Sequence, residues 1–395
     1  MARRLAAVLL LGVFWGGGIV CADETKLNAK FALWHEYNSN IYFSPKDEKG
    51  DFITRTKAGL EWLNRTERSE IFLSGFVTPY FYWKESDLSA LDQDYQGQVS
   101  WRAAERLTVG ADAELHFDYE PDRVLTTSGI VFNNDRRIRQ RYGARGAWDA
   151  SELDLLRTAY AYAREDWRAT LGNNAQDWEH HALGLGYTRE LGARRGMTQG
   201  LADLGVGTYD YETSDSRYLF ATIGFRHRLS ELLTVSGNAG PLYLDSEYKV
   251  RHATGTREKD EARWGVLGRV ALEYAAERTD LNLTAYRDMN PSGGGSGILR
   301  RTALVFDGGY RIRENLRAGL YAAGFLNRSE NQEFTGGRID RLTSFVTPNL
   351  RWSIVPDLML EIGYSFVYGE DRTANEESHR HYVYAELTYD FGLLK

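Results

Sequence analysis

Two neighbouring stretches of the chain carry charged side chains at every second position. The first is acidic, and its polar positions are Asp112, Glu114, His116, Asp118 and Glu120. The second is basic, and its charged positions are Arg137, Arg139, Arg141 and Arg145. Successive side chains of a β-strand point to opposite faces, so each row lies along one face of a strand. Two adjacent rows of opposite charge could sort solutes by charge, or could form a salt-bridge network that fills and stiffens the structure.

The positions between these charges are apolar. From Leu107 to Tyr119 every odd-numbered residue is aliphatic or aromatic, which is typical of a strand with one apolar and one polar face. A soluble sheet could show the same pattern once, but it recurs around residues 263–274, 358–368 and 382–393. The repetition favours a membrane wall, in which lipid touches every second side chain.

The charged rows must then point away from lipid. An arginine that faces the middle of a bilayer costs about 2–4 kcal/mol, so these side chains are predicted to turn inward. The same alternation predicts inward positions for Arg301, Arg311, Arg313 and Arg351. The predicted pore-lining residues are Asp112, Glu114, His116, Asp118, Arg137, Arg139, Arg141, Arg145, Arg263, Arg269 and Arg317.

The connections between strands alternate in length. Short turns near residues 65–68, 104–106 and 149–151 are followed by longer polar stretches, one of them at residues 248–260. Outer-membrane barrels have short periplasmic turns and longer external loops. Residues 191–200 and 213–216 break the alternation, which leaves 16 strands as an alternative. The sequence predicts an all-β, transmembrane, antiparallel up-and-down β-barrel of about 18 strands, whose loops are too short for a large plug or a folded-in constriction.

The amino terminus predicts export. Arg3 and Arg4 precede an apolar run and the small residue Ala22, so residues 1–22 are predicted to be a signal peptide and residues 23–395 the outer-membrane β-barrel. A retained membrane helix is the alternative. Cys21 is the single cysteine, so no disulfide holds the exported part. A formal net charge of −7 offers no basic excess for nucleic acid. Mean hydropathy is −0.47 with 13% aromatic residues, which suits strands that show lipid only on one face.

Tryptophans near the predicted strand ends indicate interfacial belts. Tryptophan tolerates a half-wet environment because one edge of its ring is polar. Core packing in a soluble protein is the competing interpretation. The predicted membrane girdle consists of Trp62, Trp83, Trp101, Trp148, Trp264 and Trp352.

Two segments carry resemblances. The last strand, residues 382–393, is similar to the closing strand that the barrel-assembly machinery of Gram-negative outer membranes recognises, although Phe391 is not terminal. Residues 37–42 and 54–62 resemble the opening hairpin of a family of outer-membrane β-barrel porins (beta-barrel porin 2-like) often linked to exopolysaccharide export loci. The resemblance implies a porin-like barrel and a connection with polysaccharide secretion. It supplies no catalytic residues.

The function expected from the sequence is a porin-like channel for hydrophilic solutes, whose inward charges set selectivity. The expected partners are outer-membrane lipid, the barrel-assembly machinery and small hydrophilic solutes or polysaccharide, with no nucleic acid, cofactor or metal. A closed structural or binding barrel is one alternative. An outer-membrane hydrolase is another, and His116 between Glu114 and Asp118 is its best candidate. His379 and His381 share a strand face, but without a third ligand they favour a solvated loop edge over a metal site.

Overall fold

The computed structural model describes residues 24–118, 136–168, 176–192, 196–252, 255–291, 297–329 and 338–394. These residues form eighteen strands and one turn of 3-10 helix, Ser86–Leu88. The strands are β1 (Glu24–Asn38), β2 (Asp51–Arg65), β3 (Ser69–Tyr82), β4 (Ala90–Ala104), β5 (Leu107–Asp118), β6 (Arg136–Asp149), β7 (Asp154–Arg168), β8 (Trp178–Leu191), β9 (Thr198–Tyr211), β10 (Ser214–Arg228), β11 (Leu233–His252), β12 (Gly255–Ala275), β13 (Thr279–Pro291), β14 (Ile298–Arg313), β15 (Leu316–Arg328), β16 (Asp340–Val355), β17 (Leu358–Asp371) and β18 (Glu376–Leu394). Within these ranges no helix is both long and apolar enough to cross a membrane.

The strands close into a ring. Each strand pairs antiparallel with the next along the chain, and β18 pairs antiparallel with β1 from Leu27 opposite Leu394 to Asn38 opposite Tyr382. A closed ring leaves no sheet edge at the first and last strands, so their backbone groups are paired. The prediction of an all-β antiparallel barrel of 18 strands is confirmed, and the alternative of 16 strands is wrong.

The two faces of the ring differ in burial. Leu60 and Leu204 lie on one face with about half of their surface exposed, whereas Asp118, Arg137 and Glu361 on the other face are almost completely buried. A single layer of strands can bury side chains only on its inner face, so the charged residues point inward. The large apolar residues are therefore on the outside, as the alternation in the sequence predicts.

The connections follow the predicted alternation with one exception. β8 and β9 are joined by residues 192–197, and β9 and β10 by residues 212–213, which confirms both irregular connections. The loop predicted at residues 248–260 is wrong, because β11 runs to His252 and β12 begins at Gly255. The signal peptide, Tyr119 and Glu120 lie outside the described residues.

One seam of the wall is incomplete. β12 and β13 pair only from Ala275 opposite Asp280 to Gly268 opposite Arg287, although β11–β12 pairing and β13–β14 pairing both continue beyond this level. We call residues 288–291 and 298–300 the inward hairpin end. Its residues Met289 and Ile298 pack with Trp178, Tyr209 and Leu244 of strands β8, β9 and β11, so this end of the hairpin leaves the wall and enters the barrel.

The inward hairpin end corrects the expectation that the barrel has no folded-in constriction. The expectation counted only the residues of the loops. The constriction is made instead by the ends of two strands. Ile298 is 2% exposed and Leu299 is 0% exposed, so the interior provides apolar contacts for side chains that the pattern in the sequence does not distinguish from wall residues.

Gly240 in β11 allows a close approach between β10 and β11. A Cβ atom at this position would overlap the carbonyl oxygen of Ala221, whereas a Cβ atom at Gly324 in β15 would meet no atom within 4 Å. We expect Gly240→Ala to lower the free energy of unfolding by about 1–3 kcal/mol through overpacking, and Gly324→Ala to change it little. Urea unfolding of the detergent-solubilised barrel measures both. Equal effects of the two substitutions would contradict the predicted overlap.

Candidate pore lining

The acidic and basic rows lie on adjacent strands and meet side chain to side chain. β5 and β6 pair with Asp118 opposite Arg137 and Glu114 opposite Arg141. The Nε of Arg137 donates to Oδ1 of Asp118 at 2.5 Å, and Nη2 of Arg139 approaches Oδ2 of the same carboxylate at 3.4 Å. Arg141 reaches Oε2 of Glu114 at 3.5 Å. The structure thus brings together the two rows that the sequence placed on neighbouring strands.

Exposure within the basic row changes along the strand. The side chain of Arg137 is 4% exposed, that of Arg139 is 26% exposed and that of Arg141 is 55% exposed. Arg137 is also 3.9 Å from the buried carboxylate of Glu165. The row therefore begins in a dry salt-bridge network and continues into open space inside the barrel. Both interpretations of the sequence describe part of this row.

The remaining members of the two rows lie on the same inner face. The carboxylate of Asp112 lies over Gly143, and the guanidinium of Arg145 lies over Gly110, because these glycines have no side chain to exclude them. Nδ1 of His116 is hydrogen-bonded to Oδ1 of Asp94 at 2.5 Å, and its Nε2 is 3.8 Å from Glu114. Both ring nitrogens thus approach carboxylates, which suits a polar ladder.

The later arginines continue this face. Arg317 bonds to Asp280 at 2.5 Å, and Arg351 bonds to Glu361 at 2.6 Å. Arg263, Arg269, Arg301 and Arg311 occupy inner positions by strand register. Arg313 departs from the prediction. A β-bulge between Arg311 and Arg313 shifts the register, so Arg313 pairs with the outer-face residue Leu316. That these residues line a path for solutes stays a prediction.

A second charged network lies across the seam that closes the ring, and sequence reasoning missed it. Glu36 accepts hydrogen bonds from Trp34 Nε1 at 2.6 Å and from Arg55 at 2.9 Å. The Trp34 ring stacks on Tyr384, with centroids 4.5 Å apart, and the Tyr384 hydroxyl donates to Glu361 at 2.8 Å. The sequence contained a signal for an inward tryptophan. Trp34 lies on the same face of β1 as Lys30, Glu36 and the other polar residues, not on the apolar face.

A cavity of about 1000 Å³ lies between β7 and β15 on the inner face. Its wall carries guanidinium, carboxylate, amide and tyrosine groups. The cavity lies on the side of the barrel where the inward hairpin end leaves the wall. The Arg301 guanidinium is held by two hydrogen bonds to Asp288, at 2.9 and 2.6 Å. The polar lining residues used below are Arg269, Arg287, Asp288 and Arg301.

The β1–β2 connection also turns inward. Ile41 packs with Ile53 and Tyr80, and Phe43 packs beside Val367 although its φ of 48° is unusual for a residue with a side chain. A Cβ atom at Gly369 would overlap the Phe43 ring, so this glycine makes room for it. The connection therefore narrows the same mouth as the inward hairpin end does.

Polar contacts hold the β1–β2 connection to the β3–β4 connection at the same mouth. The hydroxyl of Tyr42 donates to Glu85 at 3.1 Å, and Lys49 bonds to the other oxygen of Glu85 at 3.2 Å. Desolvation and then the Glu85 hydrogen bond raise the pKa of Tyr42, and the hydrogen bond to Glu85 raises the pKa of Lys49. Both groups thus keep their protons well above neutral pH, and the contact persists there.

Five of the six predicted girdle tryptophans are strongly exposed on the outer face. They are Trp83, Trp101, Trp148, Trp264 and Trp352. Trp62 occupies the same face and is half-buried. Trp62, Trp101, Trp148 and Trp352 lie within a few residues of the short-turn ends of their strands, Trp83 directly follows the other end of β3, and Trp264 lies near the middle of β12. The first four fit an interfacial belt at one mouth, and the membrane role of all six stays a prediction.

The two histidines of β18 have separate partners. His379 lies 3.6 Å from Glu48, and Nδ1 of His381 is hydrogen-bonded to the Tyr364 hydroxyl at 2.7 Å. Among the described residues no group of three or more histidine, cysteine or carboxylate side chains could hold a metal ion.

Comparison with known proteins gives a fold and no family. No family model matches the chain, and no curated protein matches it in sequence. The ferric citrate transporter FecA is similar with a TM-score of 0.50 and 8% identity over 93% of this chain and 79% of that one. OccK2 (OpdF) of Pseudomonas aeruginosa, solved in complex with glucuronate, is similar with a TM-score of 0.50 and 8% identity over 94% of this chain and 99% of that one. At these identities the likeness shows a shared barrel fold.

The buried Asp118–Arg137 pair provides a test of the dry network. Asp118→Asn leaves the guanidinium of Arg137 buried with less compensation, so we expect the free energy of unfolding to fall by about 3–5 kcal/mol. Asp280→Asn breaks the half-exposed pair with Arg317 and should cost less than about 1 kcal/mol. Urea unfolding at low and high salt compares them. A similar loss of unfolding free energy in both variants would show that the Asp118 network is as hydrated as the rest of the interior.

Proposed function

We propose that the chain is an outer-membrane channel for small hydrophilic solutes, with selectivity set by the charges on its inner face. The observation that carries the proposal is the half-exposed Arg141, which lies inside a closed ring whose outer face is apolar. A charged side chain with open space around it in the interior requires water there. A wet, charged interior behind an apolar wall suits passage of polar solutes.

The outer face supports a location in the outer membrane. Leu60, Leu204, Ile223 and Val266 are among its large apolar side chains with half or more of their surface exposed. In water such a surface would drive association, whereas in lipid it is solvated. The predicted signal peptide at residues 1–22 would export the chain, and the last strand would be the segment offered to the barrel-assembly machinery.

The inward hairpin end supports small solutes rather than polymers. It packs against β8, β9 and β11, and so reduces the free width of the barrel at one mouth. A connection with polysaccharide export rests on the resemblance of the opening hairpin alone. OccK2, which shares the fold, was solved with the anionic sugar glucuronate, so small anions are the first solutes to assay.

A closed structural barrel is the rival function. Many inner charges are paired, as in Arg137–Asp118 and Arg351–Glu361, and such pairs could fill an interior that conducts nothing. An enzyme is disfavoured by the surroundings of His116, whose two ring nitrogens approach Asp94 and Glu114. Acids at both nitrogens do not activate a nucleophile.

Conductance across a planar bilayer tests the channel directly. Arg141→Glu reverses a charge beside the proposed path, so selectivity should shift toward cations, and further when Arg139→Glu is added. Arg189→Glu is the matched control, because its side chain is 54% exposed but lies on the outer face. No ion current from folded wild-type protein would refute the channel, and unchanged selectivity in Arg141→Glu would remove the basic row from its path.

The inward hairpin end should limit the current. Ile298→Asn places an amide in the apolar cluster with Tyr209 and Leu244, so we expect the hairpin end to detach and single-channel conductance to rise. Ile354→Asn, on the outer face near a short turn, is the control that should leave conductance unchanged. The same current in wild type and Ile298→Asn would place the narrowest point elsewhere.

A further inference from the structure

The incomplete β12–β13 seam lies within the apolar part of the wall. β12 continues for more than ten residues beyond its last pair with β13, and the first outer-face residues of this unpaired part are Val266 and Trp264. Val266 is 59% exposed and Trp264 is 73% exposed, which is among the highest exposures on the outer face. The gap therefore begins where the wall is still apolar.

The inner cavity extends to this gap. Its lining includes Leu267 and Gly268 on the β12 side and Arg287 and Asp288 on the β13 side. Gly268 and Arg287 are the last pair of the seam, and by strand alternation both are outer-face positions. The cavity therefore adjoins the wall at the last pair of the seam, beyond which no described residue of β13 pairs with β12.

Arg287 is a charged residue on the otherwise apolar outer face of β13. It follows Leu281, Leu283 and Ala285 on the outer face of β13, where an arginine toward lipid costs about 2–4 kcal/mol. Its side chain is exposed, and the described residues offer it no ion-pair partner. Arg269 and Arg301 line the same cavity further inside. A guanidinium held at an opening into an arginine-bearing cavity is suited to phosphate or carboxylate, which arginine binds with two parallel hydrogen bonds.

We propose that the β12–β13 seam is a lateral opening that binds an anionic amphiphile from the membrane. Its phosphate or carboxylate head group contacts Arg287 and enters the cavity, while its hydrocarbon chain stays outside against Val266 and Trp264. The inward hairpin end keeps the opening in place, because it holds β13 away from the part of β12 that pairs with no described residue of β13. This rests on the proposed membrane location, but it does not require that the lumen conducts.

Binding to the purified full barrel in an uncharged maltoside detergent tests the proposal. The probes are dodecyl phosphate, inorganic phosphate and additional dodecyl maltoside, with dissociation constants from calorimetry or native mass spectrometry. Dodecyl phosphate should bind, and the other two should bind at least tenfold more weakly, because the site needs both an anion and a chain at the wall. Equal binding of inorganic phosphate would place the anion's route in the lumen and overturn lateral entry.

Arg287→Gln separates the proposed contact from general attraction to a basic interior. Loss of a charged hydrogen bond should weaken dodecyl phosphate binding about tenfold. Arg313→Gln is the control, because this arginine lies at a β-bulge near a short turn, away from the seam. Equal affinities in wild type and Arg287→Gln would overturn the assigned contact.

Two closures of the seam test the opening itself. Val266→Cys with Met289→Cys joins positions that would face each other if the ladder continued, so the disulfide forms only when the inward hairpin end returns to the wall, and thiol titration gives the closed fraction. The only native cysteine lies in the predicted signal peptide. The disulfide should abolish binding and reduction should restore it, which excludes a folding defect. Gly268→Trp needs no disulfide, and a Cβ atom there meets nothing closer than 3.4 Å. Undiminished binding in both closed variants would overturn the proposal, whereas conductance, which tests the channel, should not change in Gly268→Trp.

Discussion

Backbone hydrogen bonding between β1 and β18 is the constraint on which the rest of the structure depends. The two strands come from opposite ends of the chain, and their ladder runs from Leu27 to Asn38. Without it the sheet would present two open edges, which cannot be hydrogen-bonded inside a hydrocarbon layer. Closure also defines an inside, so that a simple alternation of side chains becomes a separation of outer-face groups from interior groups. The Trp34–Tyr384 stack and the Glu36 and Glu361 carboxylates lie across this same seam and add side-chain contacts to the backbone ladder.

Closure makes charged side chains on the inner face energetically costly. Each ionised group inside the ring must be paired or wet, because an isolated buried charge is strongly unfavourable. The basic row of β6 shows both solutions along one strand. Arg137 is dry and bound to Asp118, while Arg141 is half-exposed and only loosely associated with Glu114. A change from paired to hydrated charges along a wall is compatible with a rigid mouth and a wet interior, so a structural role of the row does not compete with its proposed role in selectivity.

The sequence predicted what depends on alternation and on chain order. It identified the inner face of β5 and β6, and chain order was enough to place Asp118 beside Arg137, because neighbouring strands of an up-and-down barrel are consecutive. It failed where the position of a strand end matters. The extension of β11 and β12 through residues 248–260 and the inward hairpin end leave the period-two pattern intact, because a period of two states which face a residue occupies but not whether the neighbouring strand is still present. The bulge before Arg313 is a different failure, because it changes the face of the residues after it without interrupting the alternation in the sequence. The partners of Ile298 are contributed by β8, β9 and β11, and no local pattern contains them.

The inward hairpin end poses an energetic question, because it gives up ladder hydrogen bonds to β12. Each backbone hydrogen bond contributes about 1 kcal/mol net in water, but an unpaired N–H or C=O in hydrocarbon costs several kcal/mol. Burial of Ile298 and Leu299 offsets part of this, since a fully buried aliphatic side chain contributes about 1.5–3 kcal/mol. In the proposed membrane location the balance is favourable only if the part of β12 that pairs with no described residue of β13 does not face dry lipid. Polar groups must reach that part of the strand, and the cavity that ends at Gly268 and Arg287 is where they can do so. In that location, the same physical requirement that closes the ring at β1 and β18 calls for water or a polar head group at the β12–β13 seam.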